Sequence, residues 1–465
     1  MHRGCFSGIL VISLIVLWPQ SGFGQKINGA LQEKAKSGDI NAMLKLAHAY
    51  EEGAGTEADA AQEATWYEHA ANAGDPWAQT KLALLYLQGI GVPKDSAEGV
   101  RWLRRAASSG FRLAQFNLGI AYLHGEGVAT NDGEGVHWLR EAAEKGVPDA
   151  EGNMGVLYLT GRGVPKDYSE ALRWSLLAAK HGSAFAQCNL GTMYELGDGV
   201  EKNRRLAESW YRRAASYDYP EAEYRLGRLL AEKSGGNASE ADGWFRRAAD
   251  HGDRRAQFSI GLMYAKGRGV TQSYEEAAKW YRQAADAGYA EAELNLGALY
   301  ELGQGVPQNK AEAVRWYCAA AEKGLVIAEW NVAVAYETGS GIGQDYNKAR
   351  YWYRKAAEGG DPDAQNSLGH LLYAGLGGSP DRLEALQWLR AAAANGDLRA
   401  ALNLGIVLSD AQASESDRVV AVTWLEIARQ RGFDPGPALP NVRSRLTQVE
   451  NEAAVQNAAA WLATH

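Results

Sequence analysis

The chain has 465 residues, a net charge of −8 at neutral pH and 46% apolar residues. A nucleic-acid-binding protein concentrates Lys and Arg on one face to neutralise phosphates, and no Lys/Arg block here exceeds a few residues, so this class is excluded. Only three cysteines are present, so we expect no disulfide framework and a fold that depends on side-chain packing.

The first 24 residues are typical of a secretory signal peptide. His2 and Arg3 precede an apolar run from Ile9 to Trp18, and small residues surround a predicted cleavage after Gly24. The run is short for a membrane span. We therefore predict a periplasmic or secreted mature chain with no membrane span, and the alternative is a chain anchored by an uncleaved N-terminus.

One tryptophan recurs at a fixed interval through most of the chain. Eleven of the fifteen tryptophans follow one another in steps of 36 residues, apart from one step of 34 residues. A period between about 20 and 50 residues is typical of a solenoid built from stacked repeats. The recurring tryptophans are Trp66, Trp102, Trp138, Trp174, Trp210, Trp244, Trp280, Trp316, Trp352, Trp388 and Trp424.

Each repeat is predicted to be a helix–turn–helix hairpin. In the repeat that begins at Gly288, helical periodicity covers Glu291 to Leu302 and Ala311 to Glu322, and Gly303 with Pro307 separates the two segments. Glycine supplies the left-handed residue that ends a helix, and proline prevents the helix from resuming. Elsewhere an Asp-Pro pair such as Asp75-Pro76 provides an N-cap and a proline at the first helical position.

The hairpin has small residues on one side and bulky residues on the other, so it cannot bury its bulky side alone. Stacking on neighbouring repeats solves this problem, and most of the stability of such an array comes from the interfaces between repeats. We expect the recurring tryptophan to fill those interfaces, and the truncation of a fully packed one to cost about 3–5 kcal/mol.

The repeat resembles the Sel-1-like repeat family, a branch of the tetratricopeptide-type solenoids. The motif Asn-Leu-Gly-x-x-Tyr occurs at 117–122, 189–194 and 295–300, followed by Gly-x-Gly-Val and then by Trp-Tyr or Trp-Leu with Ala-Ala. The resemblance runs from about residue 39 to residue 432. It implies an all-α, right-handed α/α superhelical solenoid of about eleven repeats that serves as a scaffold for other proteins, and it implies no reaction.

The repeat register predicts the domain boundaries. We predict a capping helix at 25–38, repeats 1–5 at 39–217, an irregular sixth repeat at 218–251, repeats 7–11 at 252–434 and a C-terminal capping helix at 435–465. The sixth repeat has a shortened turn, Lys233 to Asn237, and is interpreted as a joint between two blocks. Cys188 and Cys318 lie in different repeats and in different halves of the hairpin, so they are interpreted as small apolar fillers.

No motif for catalysis, a cofactor or a metal is found in the sequence. The Gly-x-Gly elements follow a helix rather than a strand, so they are helix ends and not phosphate-binding loops. The nine histidines show no metal-binding spacing, and neither Ser-x-x-Lys nor Gly-x-Ser-x-Gly occurs. We therefore predict a protein that is not an enzyme, with no cofactor and no metal.

A second apolar stripe lies on the first helix of many repeats, on the face opposite the small residues. In this class of solenoid that face lines a concave groove, so we predict a partner-binding groove there, although the same side chains could instead pack against the next repeat. The predicted groove residues are Leu84, Leu87, Phe116, Ile120, Leu123, Val156, Leu159, Tyr224, Phe258, Leu262, Trp330 and Val334. The acidic residues on the same face are Glu51, Glu195, Glu301 and Glu337.

The leading hypothesis for function is an exported scaffold that binds a protein or peptide in this groove. The resemblance suggests roles in envelope assembly, secretion or signalling regulation, and nothing in the residues selects among them. The alternative is a carbohydrate-associated protein of polysaccharide export, in which groove aromatics stack on a glycan. An enzyme is a distant third hypothesis.

Overall fold

A computed structural model describes residues 29–53, 58–232, 238–410 and 413–464, and all regular secondary structure in these residues is helical. The first helices of the repeats are α2 (Ile40–Glu52), α4 (Pro76–Gln88), α6 (Arg112–His124), α8 (Pro148–Thr160), α10 (Ala184–Leu196), α12 (Pro220–Ala231), α14 (Arg254–Lys266), α16 (Ala290–Leu302), α18 (Val326–Thr338), α20 (Pro362–Ala374) and α22 (Leu398–Leu408). The second helices are α3 (Ala60–Asn72), α5 (Ser96–Ser108), α7 (Asp132–Glu144), α9 (Tyr168–Lys180), α11 (Arg204–Ala215), α13 (Ala238–Asp250), α15 (Tyr274–Asp286), α17 (Lys310–Glu322), α19 (Tyr346–Glu358), α21 (Arg382–Ala394) and α23 (Glu415–Gln430).

The chain divides into two compact units, Met1–Leu229 and Leu230–His465. In the first unit the pairs from α2·α3 to α10·α11 form hairpins, and α3, α5, α7 and α9 also pack against the first helix of the next repeat. In the second unit the pairs from α14·α15 to α22·α23 form hairpins, and α13, α15, α17, α19 and α21 also pack against the first helix of the next repeat. The predicted all-α solenoid fold is confirmed.

The helix ends follow the predicted capping chemistry. Asp75 accepts a 2.7 Å hydrogen bond from the backbone N–H of Ala78, and Pro76 occupies the first turn of α4. At the other end of a first helix, Gly303 ends α16 in the left-handed conformation, with φ 68°. The caps explain why α16 and α17 each begin within one residue of the predicted position.

From Gly91 onward, the second glycine of each Gly-x-Gly turn lies close to the repeat before it. A Cβ atom on Gly305 would overlap the backbone of Tyr274 and Glu275, at the start of the second helix of the preceding repeat. The turn can approach that helix so closely because glycine has no side chain, and its φ of 69° also favours glycine.

The recurring tryptophans are less central to the core than the sequence suggests. Trp102, Trp174 and Trp316 are buried, whereas the other eight are only partly buried. The residue that follows each tryptophan points into the hairpin instead. Six of these following residues are among the largest fully buried side chains, namely Tyr67, Leu103, Leu139, Tyr211, Tyr281 and Tyr353. The expectation that tryptophans fill the interfaces is therefore correct for only some repeats.

The ends of the array and the sixth repeat differ from the regular pattern. Asp218 replaces the glycine that closes the fifth repeat and, among the described residues, is the only one other than glycine with a positive φ, 53°. The turn predicted to be a joint, 233–237, lies outside the described residues, as do the signal peptide and residues 25–28. Helix α1 (Gly29–Lys36) begins the described chain, and residues 435–465 hold two helices, α24 (Ala438–Arg443) and α25 (Gln448–Thr464), rather than one.

Candidate partner-binding groove

The predicted groove residues occupy the fifth, ninth and twelfth positions of the first helices. In α18 these positions hold Trp330, Val334 and Glu337, which share one face of the helix because they are separated by four and three residues. Every first helix except α22, which has only eleven residues, contains all three positions. The sequence therefore identified one continuous stripe on each helix, and the structure shows how much of that stripe is accessible.

Seven predicted groove residues are buried, which contradicts the expectation of an exposed stripe in this part of the chain. Phe116 is only 1% exposed and lies in one cluster with Ile120, Leu123 and Met154. Leu87 and Leu123 pack against Gly99 and Gly135, in the second helices of their own hairpins. In addition, α4 contacts α6 and α8 contacts α10. The buried residues are Leu84, Leu87, Phe116, Ile120, Leu123, Val156 and Leu159.

The other five predicted groove residues are partly exposed. Phe258 lies between two rings of its own unit, with centroids 5.6 Å from Tyr281 and 5.2 Å from Tyr289. Trp330 and Val334 lie beside an open cavity. The partly exposed residues are Tyr224, Phe258, Leu262, Trp330 and Val334.

The cavity beside Trp330 lies between the eighth and ninth repeats and has a volume of about 240 Å³. Trp330, Val334 and Val314 supply apolar walls, and Glu301 and Lys310 supply charges of opposite sign. The indole Nε1 of Trp330 is buried and has no hydrogen-bond acceptor in the described part of the chain. An apolar cavity with a few polar groups at its edge is the usual form of a small binding site.

The acidic residues of the stripe are held by tyrosines from the second helices. The hydroxyl of Tyr317 donates a 2.7 Å hydrogen bond to Glu301, and Tyr211 donates one of the same length to Glu195. Burial and the adjacent Glu301 carboxylate raise the pKa of Tyr317 above its ordinary value, so the hydroxyl keeps its proton and acts as a donor. Tyr67 and Tyr353 bind Glu51 and Glu337 in the same way.

Two of these four carboxylates are also paired with a basic residue of the next repeat. Lys81 Nζ lies 2.9 Å from Glu51, and Arg228 pairs with Glu195. By contrast, no Lys or Arg of the described residues forms an ion pair with Glu301 or Glu337. Among the described residues, the hydroxyls of Tyr317 and Tyr353 hold these two carboxylates.

Within the described ranges, no group of three or more His, Cys, Asp or Glu residues is arranged to hold a metal ion. A search of the same residues finds no helix that is both long and apolar enough to cross a membrane.

Comparison with known proteins identifies the repeat. The Sel1 repeat model matches ten times, at 40–75, 78–111, 112–147, 148–183, 184–216, 220–253, 254–289, 290–325, 326–361 and 362–397. The chain belongs to the Sel1 repeat family. The predicted resemblance is confirmed, and the α22–α23 hairpin follows the tenth Sel1 repeat.

Solved structures of other Sel1 repeat proteins are similar to this one. The protective antigen c5321 of uropathogenic Escherichia coli is 32% identical, with a TM-score of 0.60 over 94% of this chain and 95% of that chain. A Sel1 repeat protein from Oxalobacter formigenes is 34% identical, with a TM-score of 0.53 over 68% of this chain and 91% of that chain. No curated protein matches. As a Sel1 repeat solenoid, the chain has the architecture of a protein-interaction scaffold.

Sequence reasoning missed the pairing of the buried tyrosines with their carboxylate partners. The signal was present, because Tyr317 and Glu301 are sixteen residues apart and the same separation recurs for Tyr67, Tyr211 and Tyr353 with their partners. The sequence could not show that this separation brings the two side chains into contact, since the contact depends on the angle of the hairpin.

Proposed function

We propose that this Sel1 repeat protein is an exported, non-enzymatic scaffold, and that it binds an extended segment of a protein partner at the first-helix stripe of the unit Leu230–His465. The observation that carries the proposal is the cavity beside Trp330. It combines a partly exposed aromatic ring, an apolar wall and the carboxylate of Glu301, which accepts a hydrogen bond from Tyr317 and forms no ion pair with the described residues.

The chemistry of the cavity favours a polypeptide over a small metabolite. Partly exposed aromatic rings in apolar depressions often contribute most of the affinity of a protein interface. A carbonyl group of a bound chain would supply the missing acceptor for Trp330 Nε1 after a small rotation of the ring. Glu301 and Lys310 would set the direction of the chain through opposite charges.

Export is the second part of the proposal. It rests on the signal-peptide pattern of the first 24 residues. The similar Escherichia coli protein is described as a protective antigen, which is consistent with a protein outside the cytoplasm. A role in envelope assembly, secretion or signalling regulation belongs to the same proposal. N-terminal sequencing of the protein from a cell fraction is its test, and a mature N-terminus at Gln25 is the expected result.

The binding proposal is tested with a displayed library of random dodecapeptides panned against the full chain. Peptides that bind the native protein should bind Trp330→Ala at least tenfold more weakly. Leu383→Ala is the matched control, since Leu383 is 75% exposed on a second helix of the same unit. Equal binding to all three proteins, or no peptide recovered, would contradict the proposal.

The same variants also test the carbohydrate alternative. A glycan array probed with the native chain and with Trp330→Ala distinguishes it, because stacking on a sugar requires the indole ring and does not require a peptide. Glycan binding that is lost in Trp330→Ala, without any peptide binding, would favour that alternative.

A further inference from the structure

The first repeat contains an acidic residue where every other repeat has a small one. Glu63 is the fourth residue of α3, a position that faces the first helix of the same hairpin. The equivalent residues in the ten other repeats are Gly99, Gly135, Ala171, Ala207, Ala241, Ala277, Ala313, Ala349, Ala385 and Ala421. The contact is close, as a Cβ atom on Gly99 would lie 2.9 Å from the carbonyl oxygen of Ala83. A glutamate at this position of the repeat therefore enters the interior of the hairpin.

The Glu63 side chain is buried without a partner. Glu63 is 6% exposed, and its carboxylate forms no hydrogen bond or ion pair with the described residues. It lines a cavity of about 380 Å³, together with Glu51, Lys81, three apolar side chains and Gln88. Burying a carboxylate without a partner is costly in its charged form, so a ligand of opposite charge would stabilise Glu63 in this cavity.

The polar groups near Glu63 form hydrogen bonds and ion pairs with one another. Glu51 accepts hydrogen bonds from Lys81 at 2.9 Å and from Tyr67 at 3.2 Å, and His48 lies 3.3 Å away. Lys81 also lies over the ring of Trp77, at 5.2 Å. Burial raises the pKa of Glu51, but the hydrogen bond and charge of Lys81 outweigh it, so the pKa lies below its ordinary value and Glu51 is a carboxylate.

The charges around the cavity sum to a negative value. Helix α2 contributes Glu51, Glu52 and His48, α3 contributes Glu63, and α4 contributes Lys81, which is paired with Glu51. An anionic ligand would be repelled, and a neutral ligand would leave the Glu63 charge without a partner. The apolar wall consists of Leu84, Leu85 and Ile90.

We propose that the cavity beside Glu63 receives the side chain of a Lys or Arg residue from a bound polypeptide. The charged end would pair with Glu63, and the methylene stem would lie against the Leu84, Leu85 and Ile90 wall, as long basic side chains commonly do. This inference rests on the proposed function, because it assigns the chemistry of one contact to a protein partner. It places that contact in the unit Met1–Leu229, apart from the cavity at Trp330.

The titration of Glu63 gives the site a recognisable pH dependence. Burial, reinforced by repulsion from Glu51 and opposed by Lys81, raises the pKa of Glu63 to about 7. A cationic side chain pairs with the carboxylate form only, so its binding should tighten as pH rises from 6 to 8. The gain should approach tenfold per pH unit well below the pKa and should vanish above it.

The test uses peptides that are recovered when the dodecapeptide library is panned against the full chain at pH 8. Peptides that depend on Glu63 should contain Lys or Arg and should bind Glu63→Gln at least tenfold more weakly by calorimetry. Replacing the basic residue of such a peptide by Gln should cause a similar loss with the native chain and no further loss with Glu63→Gln. The native affinity should tighten from pH 6 to pH 8, and that of Glu63→Gln should not.

Two controls keep folding apart from binding. Glu68→Gln makes the same charge change at an exposed position of α3 and should bind like the native chain. Glu63→Ala introduces the residue found in most other repeats, so it should fold and still lose the Lys-dependent binding. If recovered peptides bind Glu63→Gln and the native chain equally, this inference is wrong while the proposed function stands. If no peptide is recovered at all, both fail.

Discussion

Gly297 and Tyr317 face each other across the hairpin of the eighth repeat, and a Cβ atom on Gly297 would lie 2.6 Å from the tyrosine ring. The pair lies where α16 and α17 pack against each other. The ring fills the space that the glycine leaves, and its hydroxyl extends past the glycine to Glu301, 2.7 Å away. The glycine therefore permits both the packing of the hairpin and the position of a groove carboxylate.

We expect Gly297→Ala to destabilise the protein by about 1 kcal/mol, because the overpacking cost exceeds the gain in helix propensity. Repeats 1 and 9 carry alanine at this position beside Tyr67 and Tyr353, so the hairpin can widen and the cost stays moderate. Gly243→Ala is the control, since a Cβ there would meet nothing within 4 Å and should stabilise α13. Urea unfolding measures both, and destabilisation of equal size in the two variants would refute the packing argument.

We expect Tyr281→Ala to cost more than Trp280→Ala. Tyr281 is 2% exposed in the hairpin core, so its truncation should cost about 3–5 kcal/mol. Trp280 is only partly buried, and its truncation should cost roughly 1–2 kcal/mol. The measurement is the free energy of unfolding of each variant. A larger loss for Trp280→Ala than for Tyr281→Ala would show that the tryptophans are the main contacts between repeats.

We expect Phe116→Ala and Trp330→Ala to separate stability from binding. Phe116 is 1% exposed, so Phe116→Ala should lower the free energy of unfolding by about 3–5 kcal/mol without a specific effect on binding. Trp330→Ala should cost less stability and weaken peptide binding. The measurements are urea unfolding and peptide affinity, and a Phe116→Ala protein that is fully stable would show that its side chain is not part of the core.

We expect Glu63→Gln to raise the melting temperature at pH 8 more than at pH 5. The folded-state pKa of Glu63, about 7, lies above its ordinary value of 4.5. Between these values the folded state binds more protons than the unfolded state, so this group makes stability fall as pH rises through the window. Glutamine removes that dependence. Thermal unfolding of both proteins across the pH range measures it, and parallel curves would show that Glu63 does not titrate in this window.

The sequence by itself determined the helices, the repeat and the family. Helix ends depend on local chemistry, and Asp75, Pro76 and Gly303 act within one turn of their own position, so they could be identified without the fold. The sequence also shows that Glu63 stands at a position where the other repeats have Gly or Ala. What the sequence could not give was the environment of that carboxylate.

Only the tertiary structure decided which side chains are accessible. Trp280 and Tyr281 are adjacent and both aromatic, and the orientation of α15 in the hairpin buries the second of them more deeply. In the same way, Phe116 and Trp330 occupy equivalent positions, yet one is buried and the other lines a cavity. The physical reason is that accessibility depends on how neighbouring helices pack across a whole repeat, while local chemistry acts over only a few residues.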